Sequence, residues 1–135
     1  MAIKNTLAAY ALTLLVYMAG DILWVGFFAK GYYHRRMGAL FSDQVNWIAA
    51  SLFYLIFVCG VLVFVVYPAI SGDNFKEALW KGMLFGLVTY GTFDLVSMAL
   101  FKGWHADVVV IDMAWGMVIT GAVSAAGFFI VKWLN

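Results

Sequence analysis

The sequence predicts an all-α, polytopic membrane protein: a single transmembrane domain over residues 1–135, with four helices in a compact bundle. Three observations carry that expectation. The chain is 66% hydrophobic and 11% charged, whereas soluble domains are about half apolar and about a quarter charged. Four apolar runs are each long enough to cross a hydrocarbon core of about 30 Å at about 1.5 Å per helical residue. The segments between them are short and carry turn and capping residues.

The first span is expected from about Thr6 to Ala29, the second from Val45 to Tyr67, the third from Ala78 to Phe101, and the fourth from Val108 to Trp133. Three connections remain: Lys30 to Gln44, Pro68 to Glu77, and Lys102 to Asp107. Pro68 stands where the second run ends, and a residue before proline is pushed out of the helical region. Ser71-Gly72-Asp73 is a turn signal, and Asn74 with Glu77 three residues on reads as a capping box. Lys102-Gly103 marks the end of the third span, and Asp107 is the expected N-cap of the fourth. The first run is too long for a cleaved signal peptide and holds Asp21, so it is read as a retained span.

Bilayer lipid is the partner that composition demands, and helices satisfy their own backbone groups there. Trp24, Tyr32, Tyr33, Trp47, Tyr67, Trp80, Trp104, Trp115 and Trp133 fall near run ends, as expected of an interfacial aromatic belt. Four spans put both termini on one side of the membrane. Which side is undecided, because four basic residues oppose four: Lys4, Lys76, Lys81 and Lys132 against Lys30, Arg35, Arg36 and Lys102. The net charge of +1 indicates no nucleic-acid partner, and the one cysteine, Cys59, indicates no disulfide framework.

Charge inside the spans is the functional signal. Asp21, Asp94 and Asp112 all lie within apolar runs, where lipid exposure of a carboxylate is costly. Counting helical rise from the span ends places them roughly 8 to 14 Å from one membrane face. That face carries the first and third connections, with His34, Arg35, Arg36 and His105. Each aspartate shares a helical face with polar or small residues: Tyr17 and Trp24 beside Asp21, Gly82, Gly86 and Tyr90 beside Asp94, and Gly116, Thr120 and Ser124 at four-residue steps from Asp112. Asp21-Ile-Leu-Trp24 echoes Asp112-Met-Ala-Trp115, with acid and indole three residues apart. The expected polar site is therefore Asp21, Asp94 and Asp112 with Tyr17, Trp24, Tyr90, Trp115 and Thr120. His34, His105 and Arg35 are surface contributors. The second span, with Ser51 and Tyr54 but no charge, is expected to complete the wall. Neither a cofactor nor a metal can be named from these residues, and a homo-oligomer through Gly82/Gly86 or Gly116/Thr120/Ser124 is expected.

Asp21-Ile-Leu-Trp24-Val-Gly26, Tyr67-Pro68-Ala69, Tyr90-Gly91-Thr92-Phe93-Asp94-Leu95 and Asp112-Met-Ala-Trp115-Gly116, taken together, resemble a family of small, uncharacterised bacterial inner-membrane proteins with four predicted spans, a domain of unknown function. The resemblance covers nearly the whole chain. It implies the bacterial cytoplasmic membrane and supplies no catalytic residue or ligand.

Three functions fit these residues. The first is a small transporter or channel whose intramembrane carboxylates pass or couple protons, cations or a small polar solute, with Asp21 and Asp94 exchanging the charge and Asp112 tuning them. The second is an intramembrane enzyme on a lipid or isoprenoid with an Asp/His site, although no H-E-x-x-H, P-loop or serine-elbow motif is present. The third is a non-catalytic assembly or accessory protein. Whether the chain is an enzyme stays open at this point.

Overall fold

The computed structural model describes residues 2–135, with side chains for all of them except Phe28. The fold is all-α, with helix and turn and no strand among the described residues. Four helical stretches are long and apolar enough to span a membrane: Ile3–Phe27, Trp47–Ser71, Phe75–Leu100 and Ala106–Leu134.

The first helix, α1, covers Ile3–Leu23 and passes through a π turn at Trp24–Ala29 into α2, Lys30–Met37. Most of the expected first connection is thus helix, and only the stretch after Met37 leaves it, through a 3-10 turn at Gly38–Leu40. The reason is tertiary. Tyr32, Tyr33 and Arg36 all bond to carboxyls near the start of the last helix, which holds α2 in place after the composition has turned polar.

The second span also outruns its expected end. The helix α3, Trp47–Val61, continues through a π turn at Leu62–Val66 into α4, Tyr67–Ser71. Pro68 sits in the first turn of α4. Proline inside a regular helix removes one hydrogen bond and crowds the carbonyl four residues back. The wider π turn directly before it gives that ring room, so the helix bends and goes on.

The helix α5, Phe75–Leu100, starts as expected, with the Asn74 side chain accepting from the Lys76 N–H at 3.1 Å and the Glu77 N–H at 3.4 Å. Only half of the capping box forms, because the Glu77 carboxylate pairs with Lys81 one turn on. The last helix, α6, is Ala106–Leu134 with His105 at its N-cap. Asp107 is therefore not the cap. It stands in the first turn, where a negative charge still suits the helix N-terminus, and its carboxylate binds Arg36 and Tyr32 of α2.

Half of the most apolar stretch of α6 is buried, against 17% to 28% in the other three spans, so α6 is the central helix. It packs on α5 through glycines. A Cβ on Gly82 would lie 2.6 Å from Ser124 Cβ and 2.9 Å from the Thr120 carbonyl oxygen, and one on Gly86 would lie 2.8 Å from Thr120 Cβ. These stripes let two backbones touch within the chain. The expectation that Gly82/Gly86 or Gly116/Thr120/Ser124 join two copies is thereby corrected: all five residues are buried in the α5–α6 contact. On its other side α6 meets α1 along Ala9, Thr13 and Tyr17, each fully buried at four-residue spacing. The first and last helices also meet at their outer ends, where the Asn5 amide donates to the Leu134 carbonyl at 2.7 Å.

Candidate functional site

The opposite end of the bundle holds the aspartates. Asp21 comes from the last turn of α1, Asp94 from the last two turns of α5, and Asp112 from the second turn of α6. Asp112 is the middle member. Its carboxyl lies beside that of Asp94 and near that of Asp21. Asp94 is 1% exposed, and no donor meets its Oδ2 at hydrogen-bond geometry among the described residues. Its polar neighbours are Asp112 and the Trp104 indole.

Two tyrosines fix the other carboxyls. Tyr54 of α3 donates to Oδ2 of Asp21. Tyr33 of α2 donates to Oδ1 of Asp112 at 3.0 Å. Burial and the neighbouring Asp112 push the Tyr33 phenol up, so it remains a donor near neutral pH. None of the ion pairs among the described residues involves Asp21, Asp94 or Asp112: Arg36 pairs with Asp107, Lys81 with Glu77, and Lys132 with Asp73.

A cavity of about 400 Å³ opens beside these groups. Asp21 and Asp112 line it together with Tyr17, Tyr90 and Thr89 and the rings of Phe53, Phe57 and Phe93. The hydroxyls of Tyr17 and Tyr90 are 2.6 Å apart and tie α1 to α5 across it. Gly116 is what brings Tyr90 so close to α6, since a Cβ there would lie 2.7 Å from Tyr90 Cβ.

Of the residues singled out from sequence, Tyr17, Asp21, Tyr90 and Asp112 line the cavity, and Asp94 backs onto Asp112. Trp24 and Trp115 stack on each other, with ring centroids 4.5 Å apart and planes 6° from parallel. Trp115 also borders Asp21. Thr120 is elsewhere, buried against Gly86 in the α5–α6 contact. The surface contributors do not join the group. His34 stacks on Phe41 at 5.0 Å, His105 sits at the N-cap of α6, and the Arg35 guanidinium folds back toward Gly31 on α2. No set of three or more His, Cys, Asp or Glu residues among the described residues is arranged to hold a metal ion.

Sequence reasoning did not single out Tyr33 as a site residue, because its segment reads as an interfacial loop. It named Tyr54 only as wall. Phe53, Phe57 and Phe93 carry no signal that separates them from lipid-facing phenylalanines.

A family model described as "Predicted membrane protein (DUF2177)" matches residues 6–129, and the chain belongs to that family. No curated protein and no solved structure matches the chain.

Proposed function

We propose that this member of the family is a small transporter or channel, acting as one transmembrane domain in the bacterial cytoplasmic membrane, in which Asp21, Asp94 and Asp112 take up and release protons or cations. The observation that carries the reading is the uncompensated acid: three carboxyls lie near one another at one end of the bundle, beside a cavity, with no cationic side chain among the described residues paired to any of them. Buried charge of one sign is expensive unless protons or a bound cation neutralise it. Asp94 Oδ2 meets no donor among the described residues, and a proton or cation taken up beside Asp112 would satisfy it. Asp21 and Asp112 are then the pair that meets the solute, because both line the cavity. The roles expected from sequence are reassigned in this reading: Asp112, which lies beside Asp94 and near Asp21, is the exchanging group, and Asp94 behind it is the tuning one.

The lipid-modifying reading loses its histidines, since neither His34 nor His105 joins the carboxyls in a metal-holding set.

The test is flux in proteoliposomes. A pH jump is imposed with and without K⁺, Na⁺ or Mg²⁺, and internal pH is followed with a trapped dye. Wild type is expected to dissipate the gradient, Asp112→Asn and Asp21→Asn to lose nearly all of that flux, and Asp94→Asn to retain flux with a displaced pH profile. Equal rates for wild type, Asp112→Asn, Asp21→Asn and protein-free vesicles would refute the proposal.

A further inference from the structure

The cavity is built from two kinds of group. Tyr17, Phe53, Phe57 and Tyr90 form a connected wall, with Tyr17 4.9 Å from Phe57 and 6.5 Å from Phe53, and Phe57 6.2 Å from Tyr90 by ring centroids. Asp21 and Asp112 bring the only formal charges among the lining residues. Aromatic faces attract cations through their quadrupole, and most strongly where water is excluded. Of the hydroxyls in the lining, those of Tyr17 and Tyr90 bond to each other and that of Thr89 bonds to its own helix backbone, so the two carboxyls and the ring faces are what the lining offers a cation.

The route in decides the ligand further. On the aqueous side α2 lies over the carboxyl layer, with Tyr33 bonded to Asp112, and with Tyr32 and Arg36 bonded to Asp107 one turn nearer the surface. On the flank, Phe53 of α3 and Phe93 of α5 are 48% and 58% exposed although both line the cavity. Both lie within the apolar spans, so that exposure is to acyl chains. A ligand passing between them must itself dissolve in lipid. About 400 Å³ is within the range of sites for small organic molecules, roughly 300–1,000 Å³.

We propose that the cavity is a binding site for an amphipathic organic ammonium ion, which enters from the bilayer between Phe53 and Phe93 and places its charged nitrogen between Asp21 and Asp112. This substrate class rests on the transport reading above and narrows it.

The probe is benzyltrimethylammonium, titrated into the protein in phosphatidylglycerol nanodiscs and followed by tryptophan fluorescence and calorimetry. Neopentylbenzene, the uncharged isostere, is the comparison. Saturable binding of the cation is expected, at least about tenfold tighter than the isostere. Asp112→Asn and Asp21→Asn should each abolish that preference, and Phe53→Leu should weaken binding of the cation. Adding phosphatidylethanolamine to the discs separates two sources of the ammonium. A raised apparent Kd identifies a lipid headgroup as the occupant, and an unchanged one identifies a free amphiphilic amine. Equal binding of cation and isostere, or no binding, overturns the proposal. If Asp-dependent proton flux survives that result, the carboxylate reading stands and only the substrate class is wrong. If it is absent too, both fail. Should an Asp variant fail to fold, Tyr54→Phe, which removes only the donor to Asp21, must still change cation affinity and leave isostere binding unchanged.

Discussion

Adding one methyl group at Gly116 tests the packing that forms the cavity wall. An alanine Cβ at this position would lie 2.6 Å from Cδ1 and 2.7 Å from Cβ of Tyr90, whereas ordinary contact begins near 3.4 Å. Tyr90 Cβ is fixed to the α5 backbone and cannot swing aside. Tyr90 Cγ would be nearer still, at 2.2 Å, so the α5–α6 pair must open by about 1.2 Å to keep the Tyr90 rotamer, or by about 0.7 Å with Tyr90 leaving it. Overpacking of this kind costs about 1–3 kcal/mol, and a contact fixed to backbone belongs at the upper end. Alanine returns about 1 kcal/mol of helix propensity. The net loss is about 2 kcal/mol, or roughly 30-fold in the folding equilibrium. Gly26→Ala is the control, because nothing lies within 4 Å of a Cβ there. Stability would be read from SDS titration in mixed micelles, followed by far-ultraviolet circular dichroism. Gly116→Ala is expected to unfold at lower SDS fraction than wild type, and Gly26→Ala at an equal or higher one. The displaced Tyr90 also loses its bond to Tyr17, so solute affinity should fall even where the variant is folded. A Gly116→Ala protein as stable as wild type would refute the claim that Tyr90 and α6 are in direct contact.

Three further outcomes follow from the geometry. Removing the Tyr33 hydroxyl, as Tyr33→Phe, deletes a donor to a carboxylate and should weaken cation-dependent flux about three- to tenfold while stability changes little; unchanged flux would separate Tyr33 from the site. The Tyr32 phenol is raised above its ordinary value mainly by its bond to Asp107, so its contribution to α2 docking is complete below about pH 10 and is lost as pH rises through the folded value. The difference in 295 nm absorption between wild type and Tyr32→Phe should therefore titrate above that of free tyrosine, and Asp107→Asn should bring it down. The stacked indoles should couple: a cycle of Trp24→Ala, Trp115→Ala and the double variant is expected to give about 0.5–1.5 kcal/mol, and additive effects would count against the stack.

What the sequence discloses follows the reach of each physical signal. Hydropathy is local, so the four apolar runs announce the helices. Depth is also nearly local: counting helical rise from each run's end brings Asp21, Asp94 and Asp112 to similar levels, and in the structure Asp112 neighbours both others. The ends of helices depend on more. The stretch Lys30–Met37 is polar enough to read as a loop, and it stays helical because Tyr32, Tyr33 and Arg36 find carboxyls on α6, more than 70 residues away. Pro68 reads as a stop, and the π turn that accommodates it has no signature in Leu62–Val66. Small-residue stripes say that some helix comes close without saying which one. Gly82, Gly86 and Gly116 fit a second copy of the chain as well as they fit α5 against α6, and only the contacts decide.

The repeated Asp-x-x-Trp pattern takes on a physical meaning from the antiparallel run of α1 and α6. Asp21 and Asp112 stand near the same end of their helices in space, while the chain leaves each toward an opposite side of the membrane. Three residues on, Trp24 lies toward the aqueous end and Trp115 toward the bundle centre, yet their rings meet at 4.5 Å. The exchange is reciprocal. Trp115 of α6 borders Asp21 of α1, and Trp24 of the π turn after α1 borders Tyr33, which holds Asp112 of α6. Each indole thus reaches toward the polar group set by the other helix, Trp115 toward Asp21 and Trp24 toward the tyrosine that holds Asp112. A pair of acids kept only for packing would be better replaced by apolar residues, because buried charge without a partner destabilises a bundle. Here the acids are walled by aromatic rings and bonded by Tyr33 and Tyr54, and no cationic side chain among the described residues pairs with them. That arrangement sets acidic side chains at a fixed place in the bundle, and in the transport reading proposed above the proton or cation that neutralises them comes from outside the chain.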